Sequence, residues 1–190
     1  MIAYPARNSA RDSAKTAYRC VVAQARQPIF FTDYGVPDTL GGRFELICLH
    51  AFLYLHRLKA ERPRANQLCQ SFFDTMFADF DRSLREVGIG DLSVGKHVKR
   101  MARAFYGRIL AYEEGLEHCE AALAEACARN LFGTVRGPLP DAGAMAAYIR
   151  AAVGGLRSQP VSELLAGRIS FATPAALGAA AGSYVSEASQ

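Results

Sequence analysis

A chain of 190 residues suits one domain with enough length to bury a real core, and 51% hydrophobic against 21% charged residues is an ordinary globular profile. The formal charge of +4 permits an acidic partner without demanding one. Five cysteines (Cys20, Cys48, Cys69, Cys119 and Cys127) include no C-x-x-C pair and fall mostly in apolar helical patterns, which reads as reduced thiols and argues against a disulfide framework.

The opening "MIAYPARNSARDSAK" lacks the apolar core of a secretory signal, and the helical pattern begins too soon to leave a removable presequence. A first helix is expected over 9–25, with Ala14, Tyr18, Val21, Val22 and Ala25 on one face, and Pro28 stops it. The connector "PIFFTDYGVPDT" then holds Phe30, Phe31 and Tyr34. Asp38 or Thr39 can cap a second helix over 42–60. Its run "LICLHAFLYL" is interrupted by His50 and falls well short of the about 20 apolar residues of a membrane span. A helix apolar almost all round belongs at the centre of a bundle.

The third helix is the clearest. Leu68, Phe72, Phe73, Met76, Phe77, Phe80, Leu84 and Val87 recur at helical spacing, Asp81 and Arg85 pair outside, and Gly88 ends it. A fourth helix is expected from an N-cap at Asp91 or Ser93, with a seam of Val94, Val98, Met101, Phe105, Ile109, Tyr112 and Leu116, continuing through a kink at Gly115 to about Asn130. After the loop "FGTVRGPLPD" come a short helix over 144–152 and a turn or two in "PVSELLAG". From Phe171 the chain is Ala, Gly and Ser with a single charge, Glu187, a composition that predicts a mobile tail. The expected architecture is an all-α, single-domain helical bundle of about six helices around a central apolar helix, residues 1–170, with a flexible tail over 171–190.

"GDLSVGKH", 90–97, has the glycine and lysine spacing of a phosphate loop, but His97 stands where the magnesium-binding hydroxyl belongs. Such a loop links a strand to a helix, whereas an amphipathic helix precedes this one, and Asp91 would set a negative charge in the anion cradle. The glycines therefore serve a turn. Helix, turn and helix also suit a DNA-reading helix-turn-helix, the alternative reading. Against it, the helix before the turn is too long for that motif, and the outward face of the next lacks the Asn, Gln or Ser that read base edges.

No nucleophile elbow, papain-like cysteine or paired Glu-x-x-His motif is present, so no catalytic residue, metal or cofactor is expected. His50 reads as a satisfied core histidine, and His118 could meet Glu114 at i, i+4. The charge layout says more. Lys96, Lys99, Arg100 and Arg103 fall on one stripe of the fourth helix, flanked by Tyr106, while Glu113, Glu114, Glu117, Glu120 and Glu125 follow. Cations near a helix N-terminus and anions towards its C-terminus oppose the macrodipole, so helix stability does not explain them. The two readings are a solvated face and a basic docking stripe for phosphate or an acidic partner. Phe30, Phe31 and Tyr34, where exposed, would form an apolar groove for a hydrophobic client, with Tyr106 beside it.

Several separated motifs over 17–132 resemble the ubiquinol–cytochrome c chaperone family: Pro37-Asp38-Thr39, Arg43-Phe44-Glu45 before His50, the stretch from Asp79 to Arg85, Lys96 with Lys99, Phe105-Tyr106, and Tyr112-Glu113-Glu114-Gly115. Gly42 departs from the pattern, standing where the family commonly carries an acidic residue, and an Asp–Arg contact in that turn is expected to be lost. The resemblance implies a non-enzymatic, all-helical assembly factor for respiratory complex III that binds newly made cytochrome b or another subunit. A ribosome or an anionic membrane surface and a co-chaperone are candidate further partners, and no specific DNA is expected. It further implies a bacterial protein of the cytoplasm, peripheral to the inner membrane, or a mitochondrial one if the source is eukaryotic.

Overall fold

The computed structural model describes residues 7–177, and those residues form eight helices. They are α1 (Arg7–Ala25), α2 (Ile29–Thr32), α3 (Leu40–Lys59), α4 (Asn66–Glu86), α5 (Asp91–Glu117), α6 (Glu120–Leu131), α7 (Ala142–Ser158) and α8 (Val161–Leu165). The all-α architecture agrees with the pattern of apolar residues. Helix α3 is the axis, burying Leu46, Cys48, Leu49, His50, Ala51, Phe52, Leu53, Tyr54 and Leu58. Around it α1 packs on α4, α4 on α5, α5 on α6 and α6 on α7. The ring closes where Gln24 of α1 donates to the Tyr148 hydroxyl of α7 at 3.0 Å.

Thr39 is the cap of α3, its hydroxyl accepting from the Gly42 amide at 3.1 Å. The Asp–Arg contact expected to be lost from this turn is present, because Asp38 supplies it: Arg43 Nε donates to its carboxylate at 2.7 Å. Gly42 itself is required by space. A Cβ there would lie 1.9 Å from the Pro37 carbonyl oxygen, well inside any real contact. Gly42→Ala must therefore push the α3 start away from the connector, and thermal unfolding is expected to show a loss of about 2 kcal/mol or more.

Three boundaries differ from expectation. The connector after α1 contains the single turn α2, and α7 is longer than predicted at both ends: Asp141 caps its start, accepting from the Gly143 and Ala144 amides at 2.8 and 3.2 Å, and the helix runs on to Ser158 before Pro160. The fourth predicted helix begins after an N-cap at Gly90, with neither Asp91 nor Ser93 as the cap; Asp91 pairs with Arg85. It is also two helices. Helix α5 continues unbroken past Gly115 to Glu117, the chain breaks at His118–Cys119, and α6 folds back along α5. At Gly115 the two helices approach closely: a Cβ there would meet the Leu123 Cα at 2.7 Å. The glycine read as a kink is thus a contact.

Packing continues past residue 170. The Phe171 ring stands edge-on to His50 with centroids 5.2 Å apart, Gln24 donates to the Ala172 carbonyl at 3.2 Å, and Pro174 is buried. The mobile tail expected from 171 therefore does not begin there, and the rest of it, 178–190, lies outside the described residues. Beneath Phe171 the His50 network is complete. Leu46 O can only accept, so His50 Nδ1 carries the proton in their 2.7 Å contact, and Nε2 accepts from the Tyr148 hydroxyl at 2.8 Å. His50 is the satisfied core histidine the sequence suggests.

Candidate binding cleft

Between the C-terminal half of α3, the N-terminal half of α4 and the C-terminal half of α5 lies an open cleft of about 940 Å³. Phe52, Leu55 and His56 line it from α3, Cys69 and Phe73 from α4, and Phe105, Tyr106, Ile109 and Leu110 from α5. Its walls meet where Phe73 stacks on Tyr106, centroids 5.7 Å apart and planes 30° apart, backed by Phe77 against Phe105 at 6.2 Å. The helical period explains why one helix supplies both lining and mouth. Phe105 and Tyr112 sit on the inward face and are fully buried, whereas Tyr106 and Leu110 are 55% and 70% exposed at the opening. A cleft with apolar rings inside and uncovered apolar side chains at its lip suits an apolar segment of another molecule.

Charges frame the other end. Lys59 and Arg62 stand on the α3–α4 side, and Glu113, Glu114 and Glu117 on α5. Glu113 ties the two sides together, facing His56 Nδ1 at 3.1 Å and accepting from Lys59 Nζ at 3.1 Å. Burial pushes the Glu113 carboxyl up, but the His56 and Lys59 hydrogen bonds outweigh it and hold the group below the usual carboxylate range. Deeper in, Arg108 of α5 grips Glu45 of α3 through Nε and Nη2, gives Nη1 to the Ala104 carbonyl at 2.8 Å and lies over the Phe44 ring at 5.4 Å. That fork fixes where α5 sits along α3, and so the shape of the cleft.

The residues expected to form a client groove are not all brought together. Phe30 and Tyr34 are core side chains, 0% and 3% exposed, packed on each other and on Tyr148. The short helix α2 turns them inward, and Phe31, half-buried, packs against the same core. The expected connector groove is therefore absent, and of the four named aromatics Tyr106 alone lines the cleft. Lys96, Lys99, Arg100 and Arg103 do share an exposed stripe of α5 and make no ion pair among the described residues. His118 Nδ1 meets the Glu114 backbone carbonyl at 2.9 Å, not its carboxylate. Reading the sequence missed Phe73, Leu110, His56 and Lys59 as cleft residues, because the walls that face one another come from three separate helices.

Fold and cleft together define an all-helical binding protein built on a central apolar helix. The chain belongs to the ubiquinol-cytochrome C chaperone family, whose model matches residues 32–171. The crystal structure of the Cbp3 homolog from Brucella abortus superposes with a TM-score of 0.77 at 41% identity, covering 87% of this chain and 92% of that one. Ubiquinol-cytochrome-c reductase complex assembly factor 1 of Xenopus laevis is 29% identical over 119 residues, 63% of this chain and 60% of that protein. The corresponding factor of Mus musculus is 30% identical over 103 residues, 54% of this chain and 35% of that protein. The chain thus spans about 60% of the frog relative and about a third of the mouse one. The helix-turn-helix alternative gains no support: α4 runs for 21 residues, and the matching family is one of chaperones.

Proposed function

We infer that this chain is a non-catalytic assembly chaperone of the cytochrome bc complex that holds an apolar segment of newly made cytochrome b in the cleft between α3, α4 and α5. The observation that carries the reading is the open cleft with Tyr106 and Leu110 uncovered at its lip, in a member of this family. A membrane subunit awaiting its cofactor and neighbours exposes apolar helices, and the cleft gives one face of such a helix a place away from water. Action at the inner face of an energy-transducing membrane follows from that client, and a co-chaperone could cover the charged rim.

Burying two large apolar side chains is worth about 3 kcal/mol or more, so Tyr106→Lys with Leu110→Lys is expected to weaken client capture about a hundred-fold. Both sites are exposed, so circular dichroism should stay unchanged. The readout is cytochrome b co-purified with the tagged chain, together with the reduced-minus-oxidised cytochrome b spectrum of a strain carrying only the variant. Undiminished capture and a normal spectrum would remove the cleft from the function.

A further inference from the structure

The outer face of α5 carries more than the cleft requires. Lys96, Lys99, Arg103, Tyr106, Leu110, Glu113 and Glu117 recur at steps of three and four residues, the spacing at which one helix meets another along its length. They form a row about 30 Å long, cationic at its N-terminal end, apolar in the middle and acidic at its C-terminal end. Lys96, Lys99, Arg100 and Arg103 are exposed and make no ion pair among the described residues, and the same holds for Glu114 and Glu117. Turning the row end for end exchanges its signs.

We propose that this row is the interface of a two-fold dimer, in which the α5 helices of two copies of the chain lie antiparallel across the mouths of both clefts. The charge order selects the occupant. With the two-fold axis between residues 106 and 107, Lys96 of one copy falls opposite Glu117 of the other, Lys99 opposite Glu114, and Arg100 opposite Glu113. Each contact occurs twice. Glu113 already faces His56 and Lys59, so the two outer pairs carry the attraction. Nearer the axis, Arg103 lays its aliphatic stem on Leu110 of the second copy. Tyr106 falls opposite Gly107, an exposed mid-helix glycine where a Cβ would meet nothing within 4 Å, so the ring has room. A parallel pair would set cations on cations, and a nucleic acid or anionic lipid would leave Glu114 and Glu117 facing like charge. An interface one helix wide is small, which makes the dimer weak and reversible. Because it covers Tyr106 and Leu110, it caps each cleft until a client displaces the second copy. That consequence rests on the chaperone reading, whereas the dimer itself does not.

The test is sedimentation velocity of the full chain over a range of concentrations. A monomer–dimer equilibrium is expected, moving towards monomer as salt rises. Glu114→Lys with Glu117→Lys, and separately Lys96→Glu with Lys99→Glu, should each weaken association about a hundred-fold, at a few-fold for each of the four ion pairs reversed. An equimolar mixture of the two variants should regain the native affinity, because every opposed pair is again of opposite sign. No misfolded chain can produce that recovery. A native chain that stays monomeric, variants that dimerise as the native chain does, or a mixture that stays monomeric would overturn the proposal. So would native monomers retained by heparin, which would give the cations to a polyanion. The Lys96→Glu, Lys99→Glu variant is altered outside the cleft and should capture cytochrome b at least as well as the native chain. Loss of the dimer and loss of the client site thus read out separately.

Discussion

Arg108→Leu is expected to destabilise the protein by about 3–5 kcal/mol at neutral pH, because it strands the Glu45 carboxylate between α3 and α5 without its partner. Both side chains of the pair are largely buried, 17% and 12% exposed. Burial already pushes the Glu45 carboxyl up, and the Arg108 hydrogen bonds and charge offset that only in part. The double replacement Glu45→Leu with Arg108→Leu should recover most of the loss, since a well-packed apolar pair of similar volume often matches a buried ion pair. In the single variant, acid should help. A carboxyl whose folded pKa is raised is favoured below that pKa and penalised as pH rises through it, so the deficit should narrow as pH falls. Chemical unfolding of the three proteins at two pH values measures all of this. Equal losses in the single and double variants would mean that the fork contributes shape but no charge coupling. The consequence for function is register: Arg108 lies within the α5 segment that lines the cleft, so cleft binding should follow its loss.

The second large effect is a loss of stability on acidification that belongs to His50. Burial lowers its pKa from the usual 6.5 to about 4, with the Leu46 carbonyl pulling weakly the other way. Between those values the unfolded chain takes up a proton that the folded protein refuses. Stability from this group is therefore complete above about pH 6.5 and declines as pH falls towards 4, by about 3 kcal/mol in all. His50→Gln keeps a donor and an acceptor in the site without the titration. The difference between the unfolding free energies of native and variant proteins, followed from pH 7 to pH 4, isolates the histidine from every other titrating group. Parallel curves would show that His50 is not buried neutral. A charged His50 would also force itself away from Phe30, Tyr148 and Phe171, so loosening of the segment after Ser170 should accompany the transition.

The reach of sequence reasoning differs between these features. His50 was legible as a core residue because it interrupts an otherwise apolar helix, and helices satisfy such a ring locally through the carbonyl four residues back. The partners that complete its network, Tyr148 and the Phe171 ring, were not, since they arrive from α7 and from a segment whose composition argues for mobility. Phe30 and Tyr34 mislead for a related reason. Aromatic residues in a short connector resemble a surface patch until the single turn of α2 rotates them beneath α7. Phe105-Tyr106 and Tyr112-Glu113-Glu114-Gly115, noticed as family motifs, do fall in the cleft wall or beside it.

By itself the sequence determined the helical content, the central place of α3, the opposite charges at the two ends of α5's outer face, and membership of a chaperone family, because periodicity, charge order and motif order are properties of neighbouring residues. Only the tertiary structure decided where the cleft lies, that α5 and α6 are a folded-back pair, and that Glu45 and Arg108 lock it in register. Those depend on side chains brought together from distant parts of the chain, and no local pattern encodes which ridge meets which groove.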